Sequence, residues 1–137
     1  MRPLAMLHAV TASLLVASLA IQVFLAGLGV FDDPSFFLTH RDSGYALELL
    51  ALVVLVVGAI ARAGRRQVGV AGLMVLLFVL QSVFVGLRTS APAVAALHPV
   101  NGFVIVLLSI VLARDAWALA RSRSTAASTS GSVAAPG

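Results

Sequence analysis

The sequence predicts an all-α fold, an integral membrane four-helix bundle built from two tandem two-helix repeats. Three observations predict it. The chain of 137 residues is 61% hydrophobic and only 10% charged, whereas soluble domains are about 45 to 50% apolar and about 25% charged, so water could not wet such a surface. Four apolar runs are each long enough to cross about 30 Å of hydrocarbon as a helix, a form that satisfies its own backbone in lipid. Scarce polar residues also recur in one frame in the two halves of the chain, the mark of a duplicated hairpin.

The spans are read near Leu4 to Val30, Pro34 to Ala61, Val68 to Leu87 and Pro92 to Ala118, within one transmembrane domain over 1–121. Arg2 before the first run and the small residues Ser18-Leu19-Ala20 would also suit a cleaved signal peptide, but the apolar run continues well past them, which favours a span. Pro34 after Asp32 and Asp33, and Pro92 after Ser90, read as helix starts, where the missing N–H of proline would be unpaired anyway. Only Val100 to Ala113 is free of charge after Pro99, about 21 Å of helix and too short to span, so the fourth helix runs from Pro92 with Pro99 in its first turns or at a local kink.

All nine basic residues are arginine. Arg2, the Arg62, Arg65 and Arg66 group, and Arg114, Arg121 and Arg123 fall on one side of the four spans, while Asp32, Asp33, Arg41, Asp42 and Arg88 on the other are nearly balanced. The positive-inside rule then places both termini and the Arg62–Gln67 loop in the cytoplasm of a plasma-membrane protein. This placement, rather than nucleic-acid binding, accounts for the net charge of +4. Residues 122–137, rich in Ser, Ala, Thr and Gly, read as a disordered cytoplasmic tail. The absence of cysteine excludes disulfides, thiol nucleophiles and cysteine-bound metals. No phosphate loop, catalytic triad, dinucleotide fingerprint or carboxylate pair occurs, so no catalytic residue is assigned and the sequence leaves open whether the protein is an enzyme.

The duplication rests on rare residues. Gln22, Gly27 and Leu28 match Gln81, Gly86 and Leu87 at an offset of 59, and Pro34, His40 and Gly44 match Pro92, His98 and Gly102 at an offset of 58, with Ser43 opposite Asn101. Two hairpins in tandem enter the membrane from the same side and are related by a pseudo-two-fold axis along its normal. His40 and His98 therefore lie at equal depth near the outer leaflet, each about 9 Å into its helix.

Ionisable side chains inside a span are costly and usually face the bundle interior. Two imidazoles meeting across a four-helix bundle form the pattern of a bis-histidine site for b-type haem, which makes His40 and His98 the candidate metal ligands. Gly44 and Gly102, one turn further in, leave room for a flat macrocycle or a neighbouring helix. Arg41 and Arg88 are the cations available to propionates, and Gln22 and Gln81 are placed to hydrogen-bond the imidazoles or the ligand. Two histidines make a poor zinc site, which usually has three or four ligands. In the competing reading the histidines, glutamines and glycines only hold helices together.

Other residues carry less. Glu48, opposite Val106, is a candidate proton relay, quinone contact or partner of a buried hydroxyl. His8 has no obvious counterpart in the second half and reads as interfacial, as do Tyr45 and Trp117 at the two membrane boundaries. The Arg62 to Arg66 cluster also suits anionic lipid.

Gln22 to Phe31, Thr39 to Gly44 and Ala96-Leu-His-Pro-Val-Asn-Gly102 resemble a family of small four-span bacterial membrane proteins of unknown function. The resemblance covers roughly Leu4 to Arg121, is most specific at Ala96 to Gly102, and implies the architecture alone. The chain is more distantly similar to one four-helix half of haem A synthase, an enzyme of two such bundles. Each of its halves carries a His on the second and fourth helices near the outer face, with a recurring His-Arg followed by Gly, as at His40, Arg41 and Gly44. That resemblance implies His40 and His98 as axial haem ligands. The synthase has a Glu three residues before the second-helix His, where this chain has Phe37, so haem binding carries over and haem oxidation does not.

Together these readings give a multi-pass protein that binds one haem b for electron transfer or haem handling, with the lipid bilayer and a redox partner around it. The alternative is a cofactor-free structural or accessory membrane protein. A unit of this size also suits a homodimer of eight helices.

Overall fold

A computed structural model of the protein describes residues 2–133, with side chains through Thr125. The described residues form α1 (Arg2–Phe31), α2 (Phe36–Ile60), α3 (Arg65–Gly86), α4 (Pro92–Ala95) and α5 (Leu97–Val133), with no strand among them. Only Ala96, itself near helical geometry, separates α4 from α5, and Pro92–Thr125 forms one span. The chain thus has four helices long and apolar enough to cross a membrane. The interruption at Ala96 follows from Pro99, which has no N–H for the carbonyl of Ala95 and whose ring would crowd it. Placing Pro99 in the first turn of α5 removes both problems.

Three boundaries differ from the expected ones, the third helix beginning at Arg65 rather than Val68. The second helix begins at Phe36 rather than Pro34, because Pro34 belongs to a turn in which the Asp33 carboxylate accepts the Ser35 N–H at 2.8 Å. This bond holds the Asp33 carboxyl below its usual range. At the other end the chain stays helical to Val133, although residues 122–133 had the composition of a disordered tail. No Gly or Pro interrupts it before Gly131, and the hydroxyls of Ser122 and Ser124 bond back to the carbonyls of Leu119 and Ala120, as serines in a helix can. The rest of that tail, 134–137, lies outside the described residues.

The helices form a ring in which α1 and α3 each pack against both α2 and α5, leaving α1 opposite α3 and α2 opposite α5. Ala5, Ala9 and Ala12 of α1 and Ala113, Ala116 and Ala120 of α5 are buried, small residues that let packed helices approach closely. Leu15, Val54, Met74, Ile105 and Leu112 fill the centre. Phe24, Leu49, Leu76 and Leu107 are among many large apolar side chains left on the outside, an arrangement suited to lipid and not to water.

Cross-links between the two hairpins gather at the end that carries Arg62. The indole N–H of Trp117 on α5 donates to the Ser13 hydroxyl on α1 at 2.9 Å. The guanidinium of Arg123 donates to the carbonyls of Ala61 and Arg62 at 2.7 and 3.0 Å, capping the negative end of α2. Arg62 itself turns the chain with a left-handed φ of 52°. Trp117, read from sequence as a membrane-boundary residue, therefore points into the bundle.

Candidate functional site

Towards the opposite end, which carries Asp32, the side-chain hydrogen bonds among the described residues stay within each hairpin. The amide of Gln22 on α1 donates to the Ser43 hydroxyl on α2 at 2.8 Å. In the second hairpin the Asn101 amide of α5 donates to the Gln81 side-chain oxygen of α3 at 2.7 Å and to the Leu77 carbonyl at 2.8 Å. With no such bonds across the gap, the hairpins leave between them a partly open cavity of about 1290 Å³. Gln22, His40, Arg41, Gly44, Gln81, Arg88, His98 and Gly102 all line it. The eight candidate site residues thus converge from both hairpins on one space.

The histidines face one another across the ring diagonal. Their ring centres are 6.2 Å apart and their planes cross at 68°. His40 Nδ1 lies 3.0 Å from the Gln22 carbonyl oxygen, and His98 Nδ1 lies 3.4 Å from that of Gln81. A carbonyl only accepts, so each contact requires the proton on Nδ1 and leaves the Nε2 lone pair free. Both imidazoles are half-buried. The local sequence explains the placement: His40 and Gly44, like His98 and Gly102, are four residues apart and share a helix face.

One of the two glycines has a more specific role than the expected open slot. A Cβ on Gly102 would stand 3.2 Å from the Gln81 amide nitrogen, and one on Gly44 would stand 3.9 Å from that of Gln22. Gly102 therefore makes room for the glutamine of the adjacent helix, whereas a side chain at position 44 would meet Gln22 only at ordinary contact distance. Arg41 pairs with its neighbour Asp42 at 2.8 Å, both exposed, while Arg88 reaches only the Val85 carbonyl at 3.4 Å. Glu48 also lines the cavity and has no hydrogen-bond or ion-pair partner among the described residues. The buried hydroxyl partner that the sequence allowed for it is not found. Among the described residues no three His, Cys, Asp or Glu side chains gather as a metal site.

A family of unknown function (DUF6220) matches residues 22–89. That stretch includes Gln22, His40, Arg41, Gly44, Glu48, Gln81 and Arg88 of the cavity and ends before His98 and Gly102. It is narrower than the span of the sequence resemblance and excludes Ala96 to Gly102. No curated protein and no solved structure matches the chain, and nothing in these comparisons links it to haem A synthase.

One polar cluster was missed by sequence reasoning. His8, expected at the interface, is fully buried, with its Nε2 3.2 Å from the Gln67 side-chain oxygen. The Gln67 amide donates to the Asp115 carbonyl at 3.3 Å, which turns its oxygen towards His8 and requires the proton on Nε2. His8 Nδ1 is then buried with no well-formed hydrogen bond among the described residues, the Val54 backbone being the polar group nearby. A Cβ on Gly58 would lie 2.8 Å from His8 Cε1, so the imidazole occupies the space that this glycine leaves free. A signal existed: Gln67 stands 59 residues after His8, the offset that also relates Gln22 to Gln81.

Proposed function

We propose that this multi-pass membrane protein binds one b-type haem in the cavity between its hairpins, where His40 and His98 would hold its iron. The observation that carries the reading is the 6.2 Å between their ring centres. A ring nitrogen lies roughly 1.2 Å from the centre of its imidazole and about 2.0 Å from a metal it ligates, so two imidazoles that shared one ion would have centres at most about 6.4 Å apart. The tautomers support the same reading, since metal-ligating histidines usually donate their other N–H to a carbonyl or carboxylate. The paired frames of Gln22 to Gly44 and Gln81 to Gly102 support descent from a duplicated hairpin.

Each residue has a part in such a site. The Gln22 and Gln81 carbonyls orient the imidazoles and hold the proton at Nδ1. Arg41 and Arg88 supply charge for propionates at the cavity mouth, and the apolar wall around Phe78 and Ile105 excludes water. A bound haem supplies one-electron chemistry between ferric and ferrous iron, which suits electron transfer with a redox partner or haem handling. The arginine asymmetry supports a plasma-membrane orientation with both termini cytoplasmic.

The test is an absorption spectrum of the full chain purified from haem-replete cells, recorded oxidised and reduced. A Soret band and a sharp alpha band are expected, and both are lost in His40→Ala and in His98→Ala. A colourless, folded protein would overturn the proposal and leave the cofactor-free structural or accessory role, in which these same hydrogen bonds only hold each hairpin together.

A further inference from the structure

The two halves of the cavity wall are unequal. On the second hairpin the Gln81 side-chain oxygen is occupied by the Asn101 amide, and Val106 stands where the first hairpin has Glu48. On the first hairpin, Ser43 replaces Asn101 and takes a hydrogen bond from the Gln22 amide, so the Gln22 oxygen receives none. Gln22 is only 8% exposed, and this oxygen is buried without a partner. Glu48, half-buried, lines the same cavity and has no hydrogen-bond or ion-pair partner among the described residues. A buried acceptor such as the Gln22 oxygen is nearly always satisfied, by protein, water or ligand.

Their placement is regular. The Gln22 amide lies over Gly44, and Glu48 is four residues further along α2 on the same face, about 6 Å deeper than Gly44. Both lie inward of the histidine pair. The wall around them is apolar, formed by Leu19, Leu47, Phe78, Ile105 and Val106. The cavity, at about 1290 Å³, exceeds the roughly 300 to 1,000 Å³ of ordinary ligand sites. A molecule suited to this pocket has an apolar body and O–H donors, and it reaches the site from lipid.

We propose that the inner part of the cavity binds the dihydroxylated ring of a lipid-soluble hydroquinone, whose hydroxyls donate to the Gln22 side-chain oxygen and to the Glu48 carboxyl. The site goes beyond the histidine pair and does not require haem. A donor-bearing ring satisfies both acceptors together while its carbon skeleton packs against Phe78 and its neighbours. The asymmetry orients the ring towards the first hairpin, because on the second the Gln81 side-chain oxygen already accepts from Asn101 and Val106 replaces the carboxylate.

The probe is tetramethylhydroquinone, titrated under argon into the dithionite-reduced full chain in lipid nanodiscs, with binding read by calorimetry. Saturable binding at one site per chain is expected, with the dimethyl ether of the same ring weaker by about tenfold or more for its lost donors. Gln22→Leu and Glu48→Leu should each weaken the hydroquinone by about tenfold and leave the ether unchanged. No saturable binding, equal affinity for hydroquinone and ether, or unchanged affinity in both folded variants would each overturn the proposal and assign the acceptors to water. A visible spectrum of the same sample separates the two readings: binding without a Soret band removes only the haem, and a Soret band without binding removes only this site.

Discussion

Replacing Gly58 by alanine puts a methyl group into the space held by the His8 ring. The added carbon would stand 2.8 Å from Cε1 and 3.2 Å from Nδ1 of a side chain with no exposed surface, so the ring cannot swing away without disturbing the bundle. In an unobstructed helix the same change gains roughly 0.8 to 1 kcal/mol of intrinsic propensity. Overpacking a closed site costs typically about 1 to 3 kcal/mol. Gly58→Ala should therefore lie between neutral and about 2 kcal/mol destabilising. Gly72→Ala is the control, because a Cβ there meets nothing within 4 Å, and it should be stabilising by up to about 1 kcal/mol. Reversible unfolding in mixed micelles with a rising fraction of sodium dodecyl sulfate, followed by circular dichroism, measures both. In a His8→Ala background the obstruction is gone and the difference between the two glycine sites should close, as a double-mutant cycle reads directly. If Gly58→Ala stabilises the native chain as much as Gly72→Ala does, His8 does not pack as described.

Three further outcomes are expected. Arg62→Gly should raise stability by about 1 kcal/mol in the same unfolding assay, since Arg62 holds a φ of 52° that costs a residue with a Cβ about that much and costs glycine little. Trp117→Phe should lower it by about 1 kcal/mol, the usual worth of one hydrogen bond, because it removes the indole bond to Ser13 at 2.9 Å; Ser13→Ala should cost a similar amount and add little in the double variant. The Asp33 carboxyl should titrate below the ordinary carboxylate range by carbon-detected NMR, held there by the Ser35 N–H. Because the folded value is the lower one, the contribution of that bond is present above the unfolded value and is lost as pH falls through the folded one. A titration at or above the ordinary range would refute the turn geometry.

Much of the architecture was legible because a helix in lipid is a local solution. Each apolar run pairs its own N–H and C=O groups, so run length and the arginines and prolines at its ends set the boundaries to within a few residues. The tail differed, since nothing in Ala118 to Val133 breaks a helix before Gly131. The cavity was partly legible as well: Gln22, His40 and Gly44 announced themselves by recurring as Gln81, His98 and Gly102. The inner cluster was not, because His8 and Gln67 are different residue types and their shared offset carries no chemical likeness. Nor could Trp117 be distinguished from a boundary tryptophan until Ser13 was found beside its indole.

From sequence alone come four apolar helices, their order, and a small set of polar residues that must avoid lipid. The tertiary structure decided which of those residues meet. Packing α2 opposite α5 brings His40 within 6.2 Å of His98 across 58 residues of chain, and the unequal partners Ser43 and Asn101 leave one glutamine oxygen satisfied and the other bare. Hydrogen bonds within a helix follow from the chain itself; those between helices depend on crossing geometry, which so uniform an apolar sequence does not encode position by position.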